Sequence, residues 1–149
     1  GEPLVCWVVV KKFCEELNRR ARRHGAGFYD YVDDKRVPFK GITEIYPPIE
    51  ADPEVVKTRM LLAGAREAVR AFEEGKITDP AEGDVGSVIG IGFPVYTGGP
   101  FALIDTLGIA NFVAQCDALA DKYGERFRPS AWLRDRAAKG TRFYPRTAA

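Results

Sequence analysis

The fold class is decided by residues 52–75, DPEVVKTRMLLAGAREAVRAFEEG, which carry the clearest helix signal in the chain. Asp52 is a residue type that caps helix N-termini, and Pro53 suits the first helical position because no backbone N–H donor is needed there. Gly75 ends the segment. Apolar residues recur at helical spacing at Val55, Leu62, Ala65, Val69 and Phe72, with Met60 and Ala63 widening the stripe. The pattern predicts a long amphipathic helix with one face against a core.

Similar signals predict five more helices. The first runs from Leu4 to Arg23, and its arginine-rich last turn opposes the negative end of the helix dipole. The other four lie downstream: one opened by Asp79-Pro80, one from Pro100 to Leu107, one with the stripe Phe112, Cys116, Leu119 and Tyr123, and one from Ser130 through Ala138. Six helices and no sheet predict an all-α helical bundle.

The first fifty residues differ in character from the rest of the chain. Residues 28–32, FYDYV, alternate aromatic groups with small or polar ones and predict a short extended segment. Asp33, Pro38, Pro47 and Pro48 then mark a loop that reaches about residue 51. The sequence therefore predicts an N-terminal arm over 1–50 and a main helical domain over 51–149.

Composition excludes several classes of protein. The hydrophobic content of 46% in 149 residues is enough for one sizeable core. No apolar run approaches the roughly 20 residues of a membrane span, and Val5–Val10 is too short for a signal-peptide core. The net charge of +1 argues against a strong attraction of the whole chain to nucleic acid or anionic lipid. We expect a soluble, cytoplasmic protein with no membrane span and no nucleic-acid partner.

The cysteine pattern points to free thiols. Cys6, Cys14 and Cys116 are odd in number, and no pair has the Cys-x-x-Cys spacing of a zinc or redox site. We therefore expect reduced cysteines and no metal.

Candidate catalytic groups are few. His24, the one histidine, follows a cluster of arginines, whereas a catalytic histidine needs an orienting carboxylate, so a solvated position is favoured. Gly90-Ile91-Gly92 begins a dinucleotide fingerprint, but the third glycine position holds Val95 and Phe93-Pro94 breaks the turn. The sequence also contains no Walker loop, no G-x-S-x-G elbow and no H-E-x-x-H motif.

The remaining charged residues have structural and functional interpretations. Asp105 lies in an apolar setting, where it is either a catalytic acid or a group that caps a helix and accepts backbone N–H bonds; we favour the structural role. The same preference holds for Asp84. Glu67, between two arginines, predicts a solvated ion-pair face. Residues 18–23, NRRARR, either bind phosphates of RNA or coenzyme A or form a solvated helix end, which we favour.

A small-residue face is predicted on the helix opened by Asp79-Pro80. Gly83, Gly86 and Gly90 are separated by three and four residues, so they lie near one face. Because glycine has no side chain, this face is expected to let another backbone approach closely.

A longer pattern resembles a known family. Residues 89–100, IGIGFPVYTGGP, are followed by IDTLG at 104–108 and LADKYG at 119–124. Together they resemble the C-terminal helical domain of the 3-hydroxyacyl-CoA dehydrogenases, specifically its second copy in multifunctional fatty-acid β-oxidation enzymes. Residues 25–31, GAGFYDY, resemble the segment that ends the first copy, with Ala26 where the family often has lysine. The resemblance covers the chain from about residue 13 onward.

The resemblance implies a parent with more domains than this chain. In that family a hydratase/isomerase domain and a dinucleotide-binding domain precede two helical copies, and the catalytic histidine and its carboxylate partner lie in the dinucleotide-binding domain. Thr58-Arg59 stands where the first copy has an asparagine-arginine pair, so only the arginine is kept. The resemblance thus implies no catalytic, cofactor-binding or metal residue here. It implies packing or interface roles for Phe93, Pro94, Tyr96, Gly98, Gly99, Pro100 and Asp105.

The function expected from the resemblance is a fragment of an oxidoreductase. The parent would be an NAD-dependent 3-hydroxyacyl-CoA dehydrogenase of fatty-acid β-oxidation, in which this chain serves as scaffold and interface without its own active site. NAD would bind the parent, the partners would be its dinucleotide-binding and hydratase domains, and acyl-CoA would be contacted only indirectly. The alternative is a stand-alone, non-catalytic helical interaction module. Phe93 and Tyr96 are expected to be buried against other helices.

Overall fold

The structure, a computed structural model, describes residues 5–33 and 35–145. It divides the chain into two compact units, Gly1–Glu50 and Ala51–Ala149. The described residues are mostly helical, with seven α-helices and a small two-stranded sheet, so the predicted fold class is confirmed. The prediction that the chain contains no sheet is wrong, and the predicted start of the first helix at Leu4 lies outside the described residues.

The first helix is shorter than predicted. Helix α1, Val5–Lys11, continues into a π-helical segment, Lys12–Glu16, and ends there rather than at Arg23. The backbone then leaves the right-handed region, with a φ of 52° at Asn18 and 117° at Ala21. These angles interrupt the helix before the arginine cluster, so the arginines do not form its last turn.

Arg19 connects the end of this helix to the strands that follow. Its Nε donates a hydrogen bond to the carbonyl of Gly27 over 2.7 Å, and its guanidinium pairs with the Asp30 carboxylate over 2.5 Å. The guanidinium carbon also lies 3.7 Å from the centroid of the Phe39 ring. Arg19 is therefore held by tertiary contacts that a helix running to Arg23 would not allow.

The small sheet is an antiparallel hairpin of β1, Tyr29–Val32, and β2, Lys35–Pro38, with Tyr29 opposite Pro38. β1 coincides with the predicted extended segment, but its partner lies in the predicted loop. The same loop contains the short helix α2, Ile42–Ile45, which adds to the six predicted helices. Phe13 is buried in this unit, and its ring centroid lies 4.4 Å from that of Phe28.

The second unit contains the five helices that the sequence predicts for it. They are α3, Pro53–Glu73; α4, Pro80–Ile91; α5, Pro100–Leu107; α6, Ile109–Tyr123; and α7, Ala131–Ala138. Side-chain caps begin three of them, because Asp52, Asp79 and Ser130 each accept a hydrogen bond from a backbone N–H of the first turn. Single 3₁₀ turns at Val95–Thr97 and Glu125–Phe127 connect neighbouring helices.

The core of the second unit is formed by α3, α5, α6, α7 and the C-terminal segment. Its buried members include Leu62, Ala65, Val69, Phe101, Ile104, Phe112, Cys116, Leu133 and Phe143. The early part of the predicted stripe is not buried, since Val55 is 39% and Met60 71% exposed. Their predicted place in the core is wrong, because the core contacts of α3 begin only at Leu61.

Among the described residues no single helix is both long and apolar enough to span a membrane. α5 and α6 meet such a criterion of length and composition only when they are taken together, and the chain bends by 101° between them.

The three glycines of α4 differ in their surroundings. A Cβ atom at Gly83 would lie 2.6 Å from Cε2 of Phe101 and 2.9 Å from Cγ2 of Ile77, whereas one at Gly86 or Gly90 would have no neighbour within 4 Å. Gly83 alone is crowded, but its nearest neighbours are side chains, so the predicted approach of another backbone is not found there. The prediction is also wrong for Gly86 and Gly90.

Alanine substitutions in α4 are expected to change stability in opposite directions. Gly83→Ala should lower the free energy of unfolding by about 1–2 kcal/mol, because displacing the Phe101 ring costs more than the gain in helix propensity. Gly86→Ala, the matched control in the same helix, should raise it by about 1 kcal/mol. Urea unfolding followed by circular dichroism measures both changes. Equal changes in the two variants would contradict the close contact at Gly83.

Candidate functional site

Asp84 connects three parts of the second unit. It projects from α4 and is only 4% exposed. Its Oδ1 accepts a hydrogen bond from the backbone N–H of Phe101 over 2.7 Å, and its Oδ2 accepts one from that of Ala102 over 3.0 Å. The hydroxyl of Tyr144 donates to the same Oδ2 over 2.7 Å. The carboxylate thus caps the N-terminus of α5, where the helix dipole favours negative charge.

Asp105 anchors the segment that follows α7. It is 6% exposed, and its two carboxylate oxygens accept hydrogen bonds from the backbone N–H groups of Phe143 and Tyr144 over 3.0 and 2.8 Å. Nε of Arg142 lies 3.7 Å from Oδ2. Asp84 and Asp105 therefore both accept the backbone hydrogen bonds that the structural interpretation requires.

Tyr144, which is half-buried, and Cys116, which is buried, keep their protons at neutral pH. Burial, together with the hydrogen bond to Asp84, raises the pKa of the Tyr144 hydroxyl above its ordinary value. Burial also raises the pKa of the Cys116 thiol to about 12. Because the thiolate is the nucleophilic form, Cys116 is a packing residue rather than a reactive one. All three cysteines, Cys6, Cys14 and Cys116, are free thiols.

Exposed charged side chains form ion pairs with oppositely charged residues three or four positions away in the sequence. Arg70 pairs with Glu67 and, over 2.6 Å, with Glu74, and its hydrogen bond lowers the pKa of Glu67. His24 is exposed at the end of the 3₁₀ turn Arg22–His24, which agrees with the solvated position favoured by the sequence. Within residues 5–33 and 35–145, no cluster of three or more histidine, cysteine or carboxylate side chains could hold a metal ion.

The residues around Gly90 do not fit NAD. A dinucleotide site needs a strand, a glycine turn and then the N-terminus of a helix that faces the pyrophosphate. Here Gly90 and Ile91 form the last turn of α4, and Gly92 caps that helix with a φ of 73°. The segment therefore presents a helix C-terminus, whose carbonyl groups repel the phosphates.

In the loop that follows α4, the observed burial agrees with the prediction at Phe93 and differs from it at Tyr96. Phe93 is 8% exposed and its ring lies against Gly64 of α3, so its predicted burial is confirmed. Tyr96 is 70% exposed, and its predicted burial is wrong because it lies on a single 3₁₀ turn outside the helices that build the core. Of the other residues assigned packing or interface roles, Gly99 and Pro100 are buried, Pro94 is half-buried and Gly98 is exposed.

The helix α4 and the loop after it carry an exposed apolar surface. It comprises Val85, Ile89, Val95 and Tyr96, which are between 58% and 80% exposed; we call it the α4 surface. The sequence analysis missed its exposure. The signal that could have found it is the four-residue spacing of Val85 and Ile89, which places both on one side of α4, away from the buried Gly83 and Asp84. Large exposed apolar groups close together mark interaction sites.

Comparison with known proteins assigns the family. The profile described as 3-hydroxyacyl-CoA dehydrogenase, C-terminal domain, matches residues 55–143. The chain belongs to this family. The match begins in the first turn of α3 and ends at Phe143, which is held by Asp105, so it covers the core of the second unit.

Relatives in this family are much longer. The chain is 38% identical over 136 residues to the fatty acid oxidation complex subunit alpha of Shewanella sp. (strain MR-4), covering 85% of this chain and 19% of that protein. It is 39% identical over 132 residues to the protein of the same name from Vibrio cholerae serotype O1, covering 86% and 19%. The chain thus spans about a fifth of the length of the relatives it matches.

Proposed function

We propose that this family member serves as the scaffold and interface part of a larger, multifunctional enzyme of fatty-acid β-oxidation. The proposed parent is a cytoplasmic, NAD-dependent 3-hydroxyacyl-CoA dehydrogenase, and this chain contributes no catalytic group to it. The family match and the names of the long relatives support the proposal. NAD and the acyl-CoA would bind mainly to the other domains.

The α4 surface is the observation that carries the scaffold role. Its four apolar side chains are exposed in the described structure, although three of them, Ile89, Val95 and Tyr96, belong to the motif of residues 89–100 that resembles the family. A surface of this kind is expected to be covered in the parent, since burying a side chain such as isoleucine contributes about 1.5–3 kcal/mol. We propose that the dinucleotide-binding and hydratase domains, or the first helical copy, cover it.

A chimera tests this role. The matching segment of the Shewanella sp. (strain MR-4) protein is replaced by this chain, and oxidation of a 3-hydroxyacyl-CoA is followed by the absorbance of NADH. We expect the chimera to be active and Ile89→Asp to reduce its activity at least about tenfold, because a buried, unpaired carboxylate is costly at an interface. The isolated chain is expected to fold but to show no turnover.

The matched control is the same substitution in the isolated chain. Since Ile89 is 80% exposed there, Ile89→Asp should change its free energy of unfolding by less than about 0.5 kcal/mol. A loss of stability in the isolated chain would mean that the substitution acts on folding rather than on docking. Turnover by the pure chain, or full activity of the Ile89→Asp chimera, would contradict the proposal.

A further inference from the structure

A second feature of the main unit lies away from the α4 surface. A cleft of about 370 Å³ is lined by α3 residues and by the 3₁₀ turn Glu125–Phe127. Its apolar lining comes from Val56, Met60, Ala63 and Phe127, and its two charged groups are Arg59 and Arg126. We call it the arginine cleft. Its volume falls in the range of clefts that bind small molecules.

Arg59 is held in place but incompletely bonded. Its guanidinium carbon lies 3.8 Å from the centroid of the Tyr123 ring. The ring contacts the face of the guanidinium and does not occupy the N–H donors in its plane. Its Nε is buried and has no hydrogen-bond partner among the described residues. Buried donors are normally paired, so an acceptor is missing at this position.

The positive charge of the cleft is not compensated within the described chain. Neither Arg59 nor Arg126 forms an ion pair with any described residue, and no carboxylate lines the cleft. The nearest acid in sequence, Glu125, is instead bonded to Arg128 over 2.8 Å. The cleft therefore combines two arginines that lack an anion with an apolar surface that includes Met60, which is 71% exposed.

We propose that the arginine cleft binds a small amphiphilic anion, that is, a carboxylate or phosphate attached to an apolar chain or ring. The arginine forks match the oxygen geometry of both head groups. The apolar part of the ligand covers Val56 and Met60, which are 39% and 71% exposed. This proposal does not depend on the role of the α4 surface.

The composition of the chain provides a direct reporter. Met60 is its only methionine, so ¹³C-methyl labelling of methionine gives one NMR signal, located in the cleft. The 149-residue chain is titrated with octanoate and with octyl phosphate, which share the apolar tail and differ in the head group. Octanol tests the tail alone, and inorganic phosphate tests the head group alone. We expect saturable shifts of the Met60 signal with one or both of the amphiphilic anions.

Substitutions test the role of the arginines. Arg126→Gln and Arg59→Lys are each expected to weaken binding about tenfold, the first by removing a charge and the second by removing the fork while keeping the charge. Arg20→Gln is the matched control, because Arg20 is exposed and belongs to the other unit. It should leave the affinity unchanged.

Each remaining result contradicts the proposal. No saturable shift with either anion would show that the cleft does not bind this class. If octanol bound as well as the amphiphilic anions, the anionic head group would make no contribution. If inorganic phosphate bound as well, the apolar tail would make none. Unchanged affinity in a folded Arg126→Gln variant would show that the anion binds elsewhere. A preference for octanoate or for octyl phosphate supports the proposal and identifies the head group.

Discussion

Asp84→Ala is expected to lower the free energy of unfolding of the chain by about 3–5 kcal/mol, because three donors lose a buried charged acceptor. The backbone N–H groups of Phe101 and Ala102 and the hydroxyl of Tyr144 all bond to this carboxylate. With alanine, all three donors lose this acceptor, and the buried N–H of Phe101 remains unpaired. Such a loss is a large part of the roughly 5–15 kcal/mol by which domains are stable. Urea unfolding followed by circular dichroism measures it.

Tyr144→Phe is the matched control for Asp84. It removes one donor and leaves both backbone bonds to α5 intact, so the expected loss is only about 1 kcal/mol. In the double variant the two losses should not add, since the hydroxyl and the carboxylate share one bond. A loss below about 1 kcal/mol for Asp84→Ala would contradict the view that this residue holds α4, α5 and the C-terminal segment together.

Phe101→Ala is expected to cost about 3–5 kcal/mol of the free energy of unfolding, since it removes a fully buried ring and leaves a cavity. Phe101 has no exposed surface, and its ring centroid lies 5.5 Å from that of Phe72 and 4.8 Å from that of Phe143. The ring also fills the space beside Gly83. The cavity would thus open between α3, α4 and the segment held by Asp105. Thermal and urea unfolding both report the loss.

The matched control for Phe101 is the exposed aromatic of the neighbouring loop. Tyr96→Ala removes a side chain of similar size, but Tyr96 is 70% exposed, so we expect a change within about 0.5 kcal/mol. The pair separates core packing from aromatic content. A similar loss in both variants would contradict the exposure of Tyr96 in the isolated chain, and a small loss for Phe101→Ala would contradict its central place in the core.

Much of the helical layout could be predicted because helix ends depend on local chemistry. Asp52, Asp79 and Ser130 each act as a cap through their own side chains, and Pro53 and Pro80 occupy first-turn positions that suit proline. Such signals need only neighbours in sequence. The one helix predicted badly, from Leu4 to Arg23, is the one whose end depends on distant residues, since Arg19 bonds to Gly27 and Asp30.

The candidate site was predicted less completely. The structural role favoured for Asp84 and Asp105, which for Asp105 rests on its apolar neighbours in sequence, agrees with the backbone hydrogen bonds that both accept. Sequence spacing could not show that Tyr96 faces water, because that depends on which elements pack around its loop. It could not show that Arg59 and Arg126 share one cleft either, because these residues lie almost seventy positions apart. The hairpin partner of β1 was missed for a related reason, as a two-stranded sheet has too few residues to produce a clear alternating pattern.

The sequence by itself determined the helical class, the starts of the helices in the second unit and the family of this protein. These depend on caps, on periodic apolar residues and on long ordered motifs, all of which are local or linear properties. Only the tertiary structure decided which glycine of α4 is crowded, which aromatic residues of the loop are buried and which arginines lack a partner. These outcomes depend on which surfaces pack together, because burial and pairing are settled by contacts between residues far apart in the chain.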